Sequence, residues 1–126
     1  MKLTLPQQWV TEEQTGTHVR AVCGMCEIEV TCGEMPADAT AQDQAFDNFL
    51  EMVGFDSDDP EDYNPIFTVK FNNRSAYGFE AWVDDELMIR VLCLEYRKGQ
   101  LCVLSVIAPQ QMMDETAGQA ERGLRF

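Results

Sequence analysis

The stretch Ile66–Ala108, IFTVKFNNRSAYGFEAWVDDELMIRVLCLEYRKGQLCVLSVIA, decides the fold of this 126-residue chain. Phe67, Val69 and Phe71 alternate with Thr68, Lys70 and Asn72, which describes a strand with one dry and one wet face. Asn72-Asn73-Arg74-Ser75 supplies a turn. Tyr77, Phe79, Ala81 and Val83 then alternate with Gly78, Glu80, Trp82 and Asp84. Asp84-Asp85-Glu86 turns the chain again, and Leu87–Tyr96 is apolar on both sides apart from Arg90 and Glu95. After a third turn at Lys98-Gly99, Leu101–Ala108 is again apolar on both sides. The whole of 66–108 therefore reads as a four-strand meander. A strand that is apolar on both faces needs cover above and below and partners at its sides. The fourth strand would be the edge of a simple meander, so a further hairpin is expected to pair beside it, with helices covering a face.

That hairpin is expected over 17–32. Val19, Ala21 and Cys23 alternate on one side of Gly24-Met25, and Ile28, Val30 and Cys32 on the other, leaving Glu27, Glu29 and Thr31 facing water. Gly33-Glu34-Met35-Pro36 ends it, because proline cannot donate to a ladder. The central helix is expected over 40–54. Thr40 is placed to cap it, Asp43 favours the positive end of its dipole, and Gly54 suits its C-terminus. Ala45, Phe46, Phe49, Leu50 and Val53 form its apolar stripe. Residues 55–65, with two prolines and five acids, read as an acidic loop. Pro109 opens a short C-terminal helix over 109–122, with Met112, Met113, Ala117, Ala120 and Leu124 as a weak stripe. Residues 1–16 read as a loose N-terminal arm in which Leu5, Trp9 and Val10 form an apolar patch. Thr11-Glu12-Glu13-Gln14 has capping-box spacing there, but Gly16 follows too soon for much helix. The expectation is one small α+β domain: a mainly antiparallel sheet of hairpin plus meander, one central helix and a short C-terminal one.

Charge is distributed unevenly. The net charge is −13, and residues 21–69 hold twelve acids and no lysine or arginine. Outside that segment ten acids face nine bases. A field of this sign repels the phosphates of nucleic acids and membranes and attracts basic proteins. On the central helix Asp43, Asp47 and Glu51 recur every fourth residue, one carboxylate each ~6 Å, a spacing that weakens a helix slightly. The loop adds Asp56, Asp58, Asp59, Glu61 and Asp62. The loop departs from the calcium-binding pattern, which needs glycine sixth and glutamate twelfth; counted from Asp56 those places hold Glu61 and Phe67. Acids on a surface keep a protein soluble, but interspersed charges would serve that as well.

Cysteine and histidine supply the other constellation. Cys23-Gly24-Met25-Cys26, with Cys32 after it and His18 before it, offers four candidate zinc ligands on one hairpin. The second close pair of a usual zinc site is missing. A redox Cys-x-x-Cys should open a helix, whereas Glu27–Thr31 alternates like a strand. Cys93 and Cys102 fall nearly opposite each other across the Lys98-Gly99 turn and read as core thiols. Five cysteines without an apolar leader suggest reduced thiols and a cytoplasmic protein. No run of residues approaches the roughly 20 apolar positions that cross a bilayer.

With a single histidine and no nucleophile motif or glycine-rich phosphate loop, no catalytic mechanism is drawn from these residues. Three functions are expected in order. The first is a non-enzymatic acidic inhibitor without cofactor that occupies the basic, nucleic-acid-binding surface of a protein partner. Phage anti-defence and immunity-type proteins act in this way, and such a nucleic-acid mimic would not itself bind nucleic acid or membrane. The second is an acidic secretion chaperone, a homodimer that binds extended peptides through exposed apolar strand positions such as Trp82 and Met88. The third is a small zinc-binding domain built on His18, Cys23, Cys26 and Cys32.

Overall fold

A computed structural model describes residues 1–53 and 65–126. Strands β1 (Lys2–Leu3), β2 (Val10–Gln14), β3 (His18–Cys23) and β4 (Cys26–Glu34) precede helix α1 (Ala41–Val53). Strands β5 (Phe67–Phe71), β6 (Arg74–Trp82), β7 (Leu87–Arg97) and β8 (Gln100–Pro109) form the meander. A short 3₁₀ turn (Gln110–Met112), helix α2 (Met113–Gly123) and β9 (Leu124–Arg125) complete the chain. The loop expected over 55–65, apart from Pro65, and the Gly54 cap lie outside the described residues.

Seven strands make one antiparallel sheet in the order β2-β3-β4-β8-β7-β6-β5, and β1 pairs with β9 separately. The fold is thus α+β, with the hairpin seated beside the fourth meander strand as expected. Asn72 and Asn73 both adopt positive φ, 50° and 67°, the mirror-image turn whose twist suits a two-residue hairpin. Strands β7 and β8 bury residues on both faces as expected, with Leu94, Leu104 and Val106 almost completely enclosed. On β5 and β6 the expected dry face is buried only in part: Phe71 and Phe79 are enclosed, whereas Val69 and, past the end of β6, Val83 are exposed.

The two helices do not share a face of the sheet. Ala41, Ala45 and Phe49 of α1 pack with Phe79, Ile89, Val91, Cys93 and Leu101. Met113 and Ala120 of α2 pack on the opposite face with Ile28, Val30, Leu92, Leu94, Leu104 and Val106. The two-sided apolar character of β7 and β8 requires this arrangement, since one helix layer would leave a row of leucines and valines in water.

Three expectations are corrected. The first concerns residues 1–16, which are not a loose arm. Residues 10–14 form an edge strand and not a helical turn, paired to β3 with a bulge between Thr11 and Glu13. All five of its residues are exposed, so it has no apolar stripe to bury as a helix. Its ladder, and the turn in which the Thr15 hydroxyl accepts from the His18 amide at 2.9 Å, hold it instead. Trp9 packs against the core and its Nε1 donates to Gln119 Oε1 at 3.0 Å, while Val10 is 61% exposed.

The second concerns the C-terminal stripe, which is shifted. Met112 is exposed, and Thr116 takes a buried place because its hydroxyl donates back to the Met112 carbonyl at 2.8 Å. The third concerns Cys93 and Cys102, which point to opposite faces. Cys93 pairs with Val103, and Cys102 with Leu94. The irregularity between Glu95 and Arg97 inserts one residue, and a one-residue slip flips every side chain beyond it.

Candidate functional site

Helix α1 lies over β6 and β7 with its apolar stripe inward, which fixes the direction of its other side. Asp43, Asp47 and Glu51 are all exposed there. The helix starts at a reciprocal cap. The Thr40 amide donates to Asp43 Oδ2 at 3.2 Å, and the Asp43 amide donates to Thr40 Oγ1 at 3.1 Å. Asp43 therefore has a local role at the helix terminus. Asp47 and Glu51 have none: among the described residues, no ion pair engages either. Asp56, Asp58, Asp59, Glu61 and Asp62, the rest of the expected partner-binding set, lie outside the described residues.

The hairpin acids are different. Glu27, Glu29 and Thr31 stand opposite Ile107, Ser105 and Val103 of β8, on the face that carries α1. His18 and Arg20 lie on the same face, opposite Thr31 and Glu29. Arg20 Nε donates to Glu27 Oε1. The His18 ring lies between two carboxylates, with Nε2 2.9 Å from Glu29 Oε2 and Nδ1 3.1 Å from Glu13 Oε1. Hydrogen bonding to Glu29 and then to Glu13 raises the histidine pKa. The segregated charge of the sequence is thus partly cancelled in space. Bases just upstream of the acidic segment fold back onto its first acids, and the carboxylates of α1 belong to those that, among the described residues, no ion pair engages.

The zinc constellation is not assembled. Cys26 and Cys32 point into the core beneath α2, whereas His18 belongs to the opposite face. Cys32 lies six residue steps along the strand from Cys26, ~20 Å. Cys23 and Cys26 face each other across the Gly24-Met25 turn, and the Thr116 hydroxyl lies 3.7 Å from the Cys26 sulfur. Among the described residues, no group of three or more histidine, cysteine, aspartate or glutamate side chains is arranged to hold a metal ion.

Two further features were not visible as units in the sequence. Where the β3–β4 turn meets the ends of β6 and β8, Met25, Trp82 and Met112 line one hollow with Asp85, Glu86 and Pro109. Met25 is 53%, Trp82 56% and Met112 42% exposed. Met88, the other strand position expected on an apolar surface, is half-buried against the core. On the α2 face a cleft of about 440 Å³ runs between α2 and β5–β7. Arg90 in that cleft is held by Glu80 at 2.8 Å and Asp114 at 2.7 Å, fastening α2 to the sheet. Glu80 and Arg90 are cross-strand partners on the β6–β7 hairpin, and Asp114 joins them from α2, so no single local spacing announces all three.

No helix among the described residues is long and apolar enough to cross a membrane. No protein-family model matches the chain, and no curated protein matches it.

Proposed function

We propose that the chain is a non-enzymatic binding protein that presents the outward side of α1 to a basic surface on another protein. One observation carries this reading: Asp47 and Glu51 are exposed one turn apart on a helix packed against the sheet, and among the described residues neither has an ion-pair partner, while Glu13, Glu27, Glu29, Glu80 and Asp114 each have one. Carboxylates held ~6 Å apart on a packed helix lose little freedom on binding, and their field speeds encounter with a cationic patch. The basic surfaces that best match such a row are those that bind nucleic acid, so the chain would act as an inhibitor there. In this reading the acids at 56, 58, 59, 61 and 62 extend the same charge along the sequence.

The test uses Asp47→Lys together with Glu51→Lys, which leaves the Thr40–Asp43 cap intact. Partners captured by the immobilised chain from its source cells are measured for association rate against both forms. A fall of tenfold or more, with steep salt dependence in the unaltered chain, is expected. Unchanged association with both charges reversed would refute the role of α1.

A second reading rests on the Met25–Trp82–Met112 hollow. Methionine-rich apolar surfaces adapt to varied peptides, as a chaperone requires. Trp82→Ala would then abolish capture of the partner while Asp47→Lys would not. A monomer in light scattering would count against the dimeric chaperone form.

A further inference from the structure

We propose that Cys32 and Cys102 are a reversible dithiol–disulfide pair that cross-links β4 to β8. The two residues are directly opposite in the β4–β8 register. The Met35 amide donates to the Gly99 carbonyl, and the Cys32 amide points away from β8 to the Thr17 carbonyl. Counting along the ladder from either bond makes Cys32–Cys102 a non-hydrogen-bonded pair, the kind whose side chains approach most closely. Cα atoms in such pairs are about 4.5 Å apart, inside the roughly 4.4–6.8 Å that a disulfide spans. Both side chains point to the α2 face.

The two sulfurs are chemically unlike. Cys102 is fully buried, and Cys32 is 7% exposed at the rim, its sulfur 3.6 Å from the Met1 thioether. The neighbouring Cys102 thiol, and after it the Tyr96 hydroxyl, hold the Cys32 thiol below its ordinary pKa. Cys32 in turn, together with burial, pushes the Cys102 thiol up. Cys32 is therefore the attacking sulfur and Cys102 the resolving one. With oxidised glutathione as oxidant, the Cys32 thiolate attacks one glutathione sulfur and releases one glutathione thiol. The Cys102 sulfur then displaces the second. The protein gains one S–S bond, and its two thiol protons end on the two released glutathiones.

The position gives the bond a consequence. β4–β8 is the seam that joins the β2-β3-β4 unit to the meander, so oxidation locks the two halves of the sheet together. The other thiols do not compete in the same way. Cys93 faces the α1 side alone, and burial pushes its pKa up to about 12. Cys23 and Cys26 flank a tight turn, where a bond would join neighbouring residues and leave the seam unchanged.

The folded, unaltered chain is incubated with a graded series of reduced and oxidised glutathione. Intact mass and peptide mapping without reduction follow. The expected result is the loss of two hydrogen masses, a peptide cross-link between Cys32 and Cys102, and a raised melting temperature, all reversed by dithiothreitol. Cys102→Ser should stop at one glutathione on Cys32, and Cys93→Ser should behave as the parent. A cross-link confined to Cys23–Cys26 would overturn the proposal. So would Cys32 and Cys102 remaining free thiols while Cys23 is oxidised.

Discussion

His18 ties three strands together at one point, and its protonation decides how well. Glu13 comes from β2, Glu29 from β4 and the ring from β3. Only the imidazolium can donate to both carboxylates; the neutral ring donates one hydrogen and turns a lone pair on the other acid. Arg20 and Glu27 lie on the same face and pair with each other. The folded pKa is raised above 6.5, first by the Glu29 bond and then by Glu13. A raised folded pKa means that this contribution is fully present below the unfolded value and is lost as pH rises through the folded one. The denaturation midpoint should therefore fall between about pH 6 and pH 9 in the parent, and fall less in His18→Gln. Titration of the ring followed by NMR checks the cause directly: a midpoint at the ordinary value would remove the clamp from the account. The sequence showed this histidine among cysteines and suggested a ligand, whereas pleat parity sends it to the other face.

At the scale of the element, α1 shows local sequence and tertiary packing in agreement. Thr40 caps it, Ala41, Ala45 and Phe49 enter the core, and the Phe49 ring meets Phe79 edge-on at 5.3 Å between centroids. Thr40→Ala removes one arm of the cap and should lower stability by about 1 kcal/mol in a denaturant titration. A change of only a few tenths would show that packing, and not the cap, sets the helix start. Residues 10–14 show the opposite case. Their capping-box spacing is a sound local signal, but no buried stripe stands behind it, and β3 offers an unpaired edge. An isolated helical turn loses to a ladder in such a contest. The bulge after Thr11 and the charged Glu12 and Glu13 also make this edge a poor template for another chain.

At the scale of the molecule, β8 is the strand on which both halves depend. It pairs with β4 on one side and β7 on the other, and Leu104 at its middle is fully buried. Unfolding the N-terminal strands would strip β8 of one partner and α2 of its support. A single cooperative transition follows. Trp9 reports on the N-terminal half and Trp82 on the meander. The variants Trp82→Phe and Trp9→Phe should thus give coincident fluorescence midpoints, and midpoints separated by more than the error would show two independent units. Leu104→Ala should destabilise by about 2–5 kcal/mol and move both reporters together.

The sequence by itself determined the element types of the meander, the hairpin and α1, the pairing of the hairpin beside the fourth strand, and the carboxylate row on α1. Those are local properties: alternation of period two, a stripe of period 3.6, and turns made by residues that tolerate positive φ. It also showed that β7 and β8 needed cover on both faces, without showing which helix covered which. Only the tertiary structure decided that α1 and α2 lie on opposite faces and that one bulge turns Cys93 away from Cys102. The same register brings Cys102 to Cys32. It decided too that Arg20 and His18 pair with the first acids of the acidic segment, while among the described residues Asp47 and Glu51 have no ion-pair partner. The reason is parity and distance. A side chain's face depends on every inserted residue before it, and its partners come from strands that no local pattern names.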